Sequence, residues 1–256
     1  MGTWSAEQYL KFKAERTQPS IDLIHRIALT KPERIIDIGC GPGNSTDALA
    51  QHYPKAKVLG VDNSEEMIAA AREQHPKIAF LLCDAGKDLS EVGNGYDLVF
   101  SNACIQWIPD HPALMRRLKD LLRPEGVLAV QTPMNYEEPI HQIIAAVSKS
   151  ETWAPKFENP RIFYNLTPEG YYDLLAELFS EFSIWMTTYF HTMPSHESIM
   201  EWYRGTGLRP YLQALKEADR KQFESEIFCE VRRAYPVQKD GSVIFRFPRL
   251  FFTAVR

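Results

Sequence analysis

No stretch of the chain approaches the roughly 18 consecutive apolar residues that a membrane-spanning helix needs. The opening segment MGTWSAEQYLKFKAER carries charges throughout where a secretory signal would have an apolar run. A cytoplasmic protein with no membrane partner is therefore expected. Cysteine is scarce, and the four present (Cys40, Cys83, Cys104, Cys229) form no C-x-x-C pair, which argues against a disulfide framework and a cysteine-ligated zinc site. The seven histidines are scattered, and the nearest two, His191 and His196, miss the i, i+4 spacing of helical metal ligands. No metal is expected. An excess of positive charge is also missing: the net charge is −4. That balance gives no broad field for nucleic acid or an anionic membrane, so an anionic substrate must be met by local cations.

What is present is an ordinary globular composition of 256 residues, 45% hydrophobic and 24% charged. Such a length suits one α/β domain with added elements. Up to residue 131, short apolar strands alternate with helices, the pattern of a doubly wound parallel sheet. Strands are expected at Ile35–Ile38, Val58–Val61, Ile78–Leu82, Tyr96–Ser101 and Gly126–Gln131. Helices are expected at Ser45–His52 and Glu65–Gln74, the second capped by Ser64. Beyond that point Pro133, Pro139, Pro155, Pro160 and Pro168 interrupt the chain and aromatic residues become frequent. We expect a helical cap over residues 133–170 and 192–240, within a single domain whose core for binding a cofactor spans residues 30–131. Thr167 and Pro168 start a helix through Leu178. Strands follow at Phe182–Phe190 and Val243–Val255, with helix starts at Ser195 and Pro210 between them.

The loop Asp37-Ile38-Gly39-Cys40-Gly41-Pro42-Gly43-Asn44 sits between a strand and a helix, where glycines permit positive φ and close backbone approach to a ligand. A nicotinamide dinucleotide site requires G-x-G-x-x-G to lay a pyrophosphate on the helix N-terminus. Here the third glycine comes one residue early, with Asn44 in its place. A ligand without pyrophosphate fits better. S-adenosylmethionine has an amino-acid end and a nucleoside end: loop N–H groups can meet its carboxylate and Asp37 its ammonium. Asp62 ends the second strand, where a carboxylate can accept from both hydroxyls of a ribose. Asp84 with Ala85 ends the third, where an acid and a backbone N–H can meet adenine.

IIDIGCGPGNST together with Asp62 and Asp84 resembles the motif set of class I S-adenosylmethionine-dependent methyltransferases over about residues 30–131. The resemblance implies a seven-stranded, mostly parallel, Rossmann-like sheet with an antiparallel last strand. It also implies cofactor contacts from Asp37, Gly39, Cys40, Gly41, Gly43, Asn44, Asp62, Asn63, Met67, Asp84, Ala85 and Asn102. Asn102-Ala103-Cys104 lacks the paired prolines of nucleic-acid amino methyltransferases, and net acidity counts against that class too. WSAEQYLKFKAER, NACIQWIPDH, GVLAVQTP, MPSHESIMEWYRGTGLRPYLQAL and FPRLF resemble the trans-aconitate methyltransferases across nearly the whole chain. One departure is Gln18, where that resemblance leads us to expect an arginine.

A small tricarboxylate needs fixed cations, and arginine meets a carboxylate with two parallel hydrogen bonds. Arg204 and Arg209 flank Gly205 and Gly207, and Arg249 follows Pro248. Tyr9, Arg16, Gln106, Trp107 and Tyr211 complete the expected pocket for a small polycarboxylic acid. A carboxylate is ionised at neutral pH, so no residue is assigned to proton transfer. Two alternatives stay open: a methyltransferase for another small or carrier-bound acid, and a module that binds S-adenosylmethionine without turnover.

Overall fold

The computed structural model describes residues 13–157 and 163–256. Numbered in chain order among these residues, the strands are β1 (Arg34–Ile38), β2 (Lys57–Asp62), β3 (Ala79–Leu82), β4 (Tyr96–Asn102), β5 (Leu122–Pro133), β6 (Glu181–Met193) and β7 (Val243–Val255). The helices are α1 (Lys13–Arg26), α2 (Asn44–His52), α3 (Glu65–Gln74), α4 (His111–Leu121), α5 (Pro139–Ser148), α6 (Pro168–Leu178), α7 (His196–Arg204), α8 (Arg209–Ala214) and α9 (Glu217–Ala234).

All seven strands join one sheet in the order β3-β2-β1-β4-β5-β7-β6. β1 to β5 are mutually parallel, and β7 runs antiparallel to β5, with Val127 opposite Val255 and Pro133 opposite Arg249. Strands covered on both faces read as continuous apolar runs. Ile35, Ile36, Ile38, Leu98, Val99 and Phe100 accordingly have no exposed surface. The order reverses between β1 and β4, and ligands of open α/β sheets bind at such a switch point, outside the strands' carboxyl ends.

The described residues divide into two compact units. One comprises Ala14–Pro133, Phe163–Thr187 and Arg249–Arg256, and contains the parallel strands. The other comprises residues 134–157 and Thr188–Pro248. Its core is aromatic: Trp153 packs edge-on against Phe223 at 5.1 Å, and Phe245, Trp202 and Tyr203 are buried beside them. Gly207 is required there, because a Cβ would lie 2.5 Å from the Tyr203 ring. Two helices were not placed individually from sequence. α5 begins at Pro139, which serves as a first-turn proline and not as an interruption; α1 carries Pro19 inside it. Among the described residues no helix is long and apolar enough to cross a membrane.

Candidate active site

The glycine loop is held from beneath by β2. The N–H groups of Gly39 and Cys40 both donate to the Val61 carbonyl, at 2.8 and 2.9 Å. Gly39, Gly41 and Gly43 all have positive φ (73°, 55° and 91°). Two of them also lack space for a side chain: a Cβ on Gly39 would lie 2.2 Å from the Cys104 sulfur, and one on Gly43 2.8 Å from the His75 ring. Gly41 differs, since nothing lies within 4 Å of its missing Cβ. The backbone there is open to a ligand.

Asp37 is fully buried, and its Oδ2 accepts from the hydroxyls of Ser45 (2.6 Å) and Thr46 (2.7 Å) at the start of α2. Its Oδ1 has no donor. Burial pushes the carboxyl up to about 6, against the lowering pull of the two hydroxyls, with the nearby Asp62 charge adding to the rise. Asp62 at the end of β2 accepts from Gly41 N–H through Oδ2 and from Ser64 N–H through Oδ1, both at 2.9 Å. It therefore ties the loop to the start of α3 while each oxygen keeps a further lone pair. Burial raises the Asp62 carboxyl, opposed by those backbone donors.

Of the remaining residues expected to bind cofactor, Cys40 and Ala85 are buried, Met67 is half-buried and Asn63 is exposed. Asp84 Oδ1 accepts from Gly86 N–H at 2.9 Å. Asn44 and Asn102 each have a buried Oδ1 with no donor. Asn102 ends β4, next to β1 in the sheet.

The segment after β4 is bracketed by two non-glycine residues in the left-handed region, Ala103 (φ 54°) and Asp110 (φ 55°). Gln106 is buried within it: Nε2 donates to the Ala103 carbonyl at 2.7 Å and Oε1 accepts from the Thr132 hydroxyl at 3.3 Å. Both ends of that amide therefore brace the segment. Trp107 is 40% exposed and packs 5.0 Å from the Phe163 ring. His111, almost fully buried, bonds the Ile105 carbonyl through Nε2 (3.0 Å) and the Tyr171 hydroxyl through Nδ1 (2.8 Å). Burial lowers its pKa, so the ring is neutral, with Nε2–H donating to the carbonyl and Nδ1 accepting from the hydroxyl. Arg249 is 3% exposed and donates from Nη1 to Gln131 Oε1 at 3.2 Å.

In the other unit, Arg204 is paired with two carboxylates. Its Nε meets Glu224 at 2.5 Å and its Nη1 meets Glu197 at 2.6 Å, so two carboxylates of the same unit already hold the guanidinium. Tyr211 packs edge-on against Phe157 at 5.1 Å. Arg209 opens α8 and is half-buried. Tyr9 and the Arg16 side chain lie outside the described residues; Gln18 donates to Asp22 at 2.7 Å within α1. Sequence reasoning did not single out Ser45 and Thr46, which hold Asp37, or His111, Gln131 and Thr132, which tie the segment after β4. The polar pair Gln131-Thr132, ending the otherwise apolar run Val127–Val130, was a usable signal.

Residues 29–194 match a family described as methyltransferase domain. A trans-aconitate 2-methyltransferase of Rhodopseudomonas palustris is 44% identical over 99% of this chain and 99% of its own. One from Shigella flexneri is 41% identical over 100% and 99%. Among solved structures, the YcgJ protein of Bacillus subtilis superposes with a TM-score of 0.60 at 15% identity, covering 93% of this chain and 98% of that one. A Haemonchus contortus N-methyltransferase in complex with S-adenosylhomocysteine gives 0.55 at 20% identity, covering 93% and 52%. At these identities the structures share the fold alone.

Proposed function

The chain belongs to the methyltransferase-domain family and groups with the trans-aconitate 2-methyltransferases, and from that premise we propose that it methylates a carboxylate oxygen of trans-aconitate, using S-adenosylmethionine. The observation that carries the cofactor assignment is the set of buried acceptors without donors, Asp37 Oδ1, Asn44 Oδ1 and Asn102 Oδ1, on or beside one glycine loop. A buried polar atom left unpaired costs about 1–3 kcal/mol. Three acceptors in this position suit a ligand end rich in N–H donors, as the ammonium of the cofactor is, and the open face of Gly41 leaves room for it.

When bound, S-adenosylmethionine supplies a methyl group on a cationic sulfur and departs as a neutral thioether. The chain's own work is to bind, orient and exclude water. Asp37 and Asn102 would hold the ammonium, with Gly39, Cys40, Gly41, Gly43 and Asn44 forming the loop around the amino-acid end. The remaining lone pairs of Asp62 would accept from the ribose hydroxyls, and Asp84, Ala85, Asn63 and Met67 would frame the adenosine. For the acid we propose Arg249, Arg209, Arg16, Tyr9, Trp107 and Tyr211, with Gln106 acting by bracing the segment after β4. Arg204 is left out because Glu197 and Glu224 hold it.

The acid's nucleophilic oxygen is ionised above a pKa of about 4, and the leaving group needs no proton. Rate acceleration then comes from alignment, which supplies roughly 7–11 kcal/mol in favourable intramolecular cases. The net charge of −4 and the absence of a basic field support a small free acid in preference to a nucleic acid. A cytoplasmic location goes with this reading.

The test is methyl transfer from labelled cofactor across mono-, di- and tricarboxylates. We expect trans-aconitate to be preferred and the product to be a methyl ester that releases methanol in alkali. With both substrates saturating, kcat is expected to stay nearly flat from about pH 6 to 8. A base-stable product would overturn carboxylate methylation, and cofactor binding without transfer to any acid would favour a binding module.

A further inference from the structure

Gln131 is fully buried at the carboxyl end of β5, directly opposite Asn102 of β4. Its main-chain carbonyl accepts from Ala103 N–H at 2.9 Å, at the start of the braced segment. Its side chain is oriented by Arg249, whose Nη1 donates to Oε1 at 3.2 Å. A guanidinium has only donors, so it fixes which way the amide faces: the oxygen toward Arg249 and the NH₂ away from it. That NH₂ is buried and has no acceptor.

A fully buried side chain that ends an apolar strand, is locked by a cation and still presents an unmet donor is placed for a ligand oxygen. We propose that Gln131 is a specificity-determining residue, donating through Nε2 to a non-reacting carboxylate of the acid while Arg249 holds the amide in that orientation. The assignment rests on the carboxylate-methylating function above and extends its acid site to a residue that charge-based reasoning passed over. The neutral amide does what a second arginine could not, because it can take Arg249 as its donor and still offer N–H groups of its own.

The competing role is purely structural: Gln131 would serve only to receive Arg249. Gln131→Glu separates the two. A carboxylate of the same shape accepts from Arg249 at least as well, so a structural role would survive, whereas the donor is lost and a negative charge faces the acid. The expected result is a rise in KM for trans-aconitate of at least about 10-fold, with the S-adenosylmethionine affinity and the unfolding temperature near wild type. Gln131→Met, uncharged and similar in length, should raise the same KM by a smaller factor, and carries the test if Gln131→Glu does not fold. A wild-type KM in the variant, or a parallel loss of cofactor affinity, would overturn the proposal. If the wild-type protein methylates no small acid, the carboxylate function itself falls first; wild-type activity with an unchanged KM in the variant defeats the Gln131 assignment alone.

Discussion

Replacing Gly39 by alanine tests whether the glycine loop and the segment after β4 are packed as one piece at the switch point. The added Cβ would lie 2.2 Å from Cys104 Sγ and 2.4 Å from its Cβ, against 3.7 Å from its Cα. Ordinary carbon contacts lie near 3.5–4.0 Å, so one of the two segments must move by more than about 1 Å. Overpacking of this kind costs roughly 1–3 kcal/mol, and holding alanine at a positive φ adds about 1–2 kcal/mol. For a chain of this length each kcal/mol lowers the midpoint by about 2–4 °C, so a fall on the order of 4–20 °C is expected. Cys104→Gly in the same chain removes both clashing atoms and should recover the steric share, leaving the backbone share. Cys104→Ala keeps the Cβ and should recover little. The Cys104 thiol, pushed up to about 12 by burial, is neutral, so its removal deletes no charge. Thermal unfolding of the wild type, Gly39→Ala, Cys104→Gly and the double variant, with calorimetry for S-adenosylmethionine, measures the cycle. A double variant with Gly39→Ala and Cys104→Gly no more stable than Gly39→Ala would refute the packing argument.

Asp62→Ala removes the acceptor of Gly41 N–H and the proposed ribose contacts, and calorimetry should show S-adenosylmethionine binding about 10- to 100-fold more weakly; equal affinity would remove Asp62 from the site. Arg209→Ala should raise the KM for the acid with little change in that for the cofactor, while Arg204→Ala, which breaks only internal ion pairs, should leave both and lower stability by about 1 kcal/mol. The reverse pattern in steady-state kinetics would invert the assignment of the two arginines. Asp37 titrates near 6 when buried and at its ordinary value of 3.8 when unfolded. The folded state therefore holds the extra proton between those values, and this group's contribution to stability falls as pH rises through that window. Pairing Asp37 with the ammonium favours its ionised form, so binding near pH 6 should release protons, read from calorimetry in buffers of different ionisation heat. Asp37→Asn should abolish the release, and its persistence there would place the titration elsewhere.

The parallel-strand half of the fold was legible because its signals are local. Ile35–Ile38, Gly39 and Asp62 sit at fixed spacing along one βαβ unit, and helix starts such as Ser64 and Thr167 cap as read, each side chain accepting from a backbone N–H three residues on. The proposed acid site was less legible because the partners of its side chains lie far apart in the sequence. Arg204 and Arg209 look alike in sequence, yet the fate of Arg204 is set by Glu197, seven residues away, and Glu224, twenty away. Gln131 went unnoticed for a related reason. An amide gains meaning only from what fixes its two ends, and here one end is fixed by Arg249, 118 positions later in the chain.

The segment after β4 connects this packing to the chemistry. Of the two residues in the left-handed region, Ala103 costs about 1–2 kcal/mol and Asp110 less, and strained residues persist only where their surroundings over-determine them. The restraints are specific. Ala103 N–H is taken by Gln131 and its carbonyl by Gln106, the Ile105 carbonyl by His111, and the Asp110 side chain accepts from Ala113 N–H to cap α4. A reaction whose nucleophile is already ionised gains alignment and exclusion of water from the protein. Strain held by four separate tethers beside Asn102 is what such a reaction would select for, because it fixes the backbone before any ligand arrives.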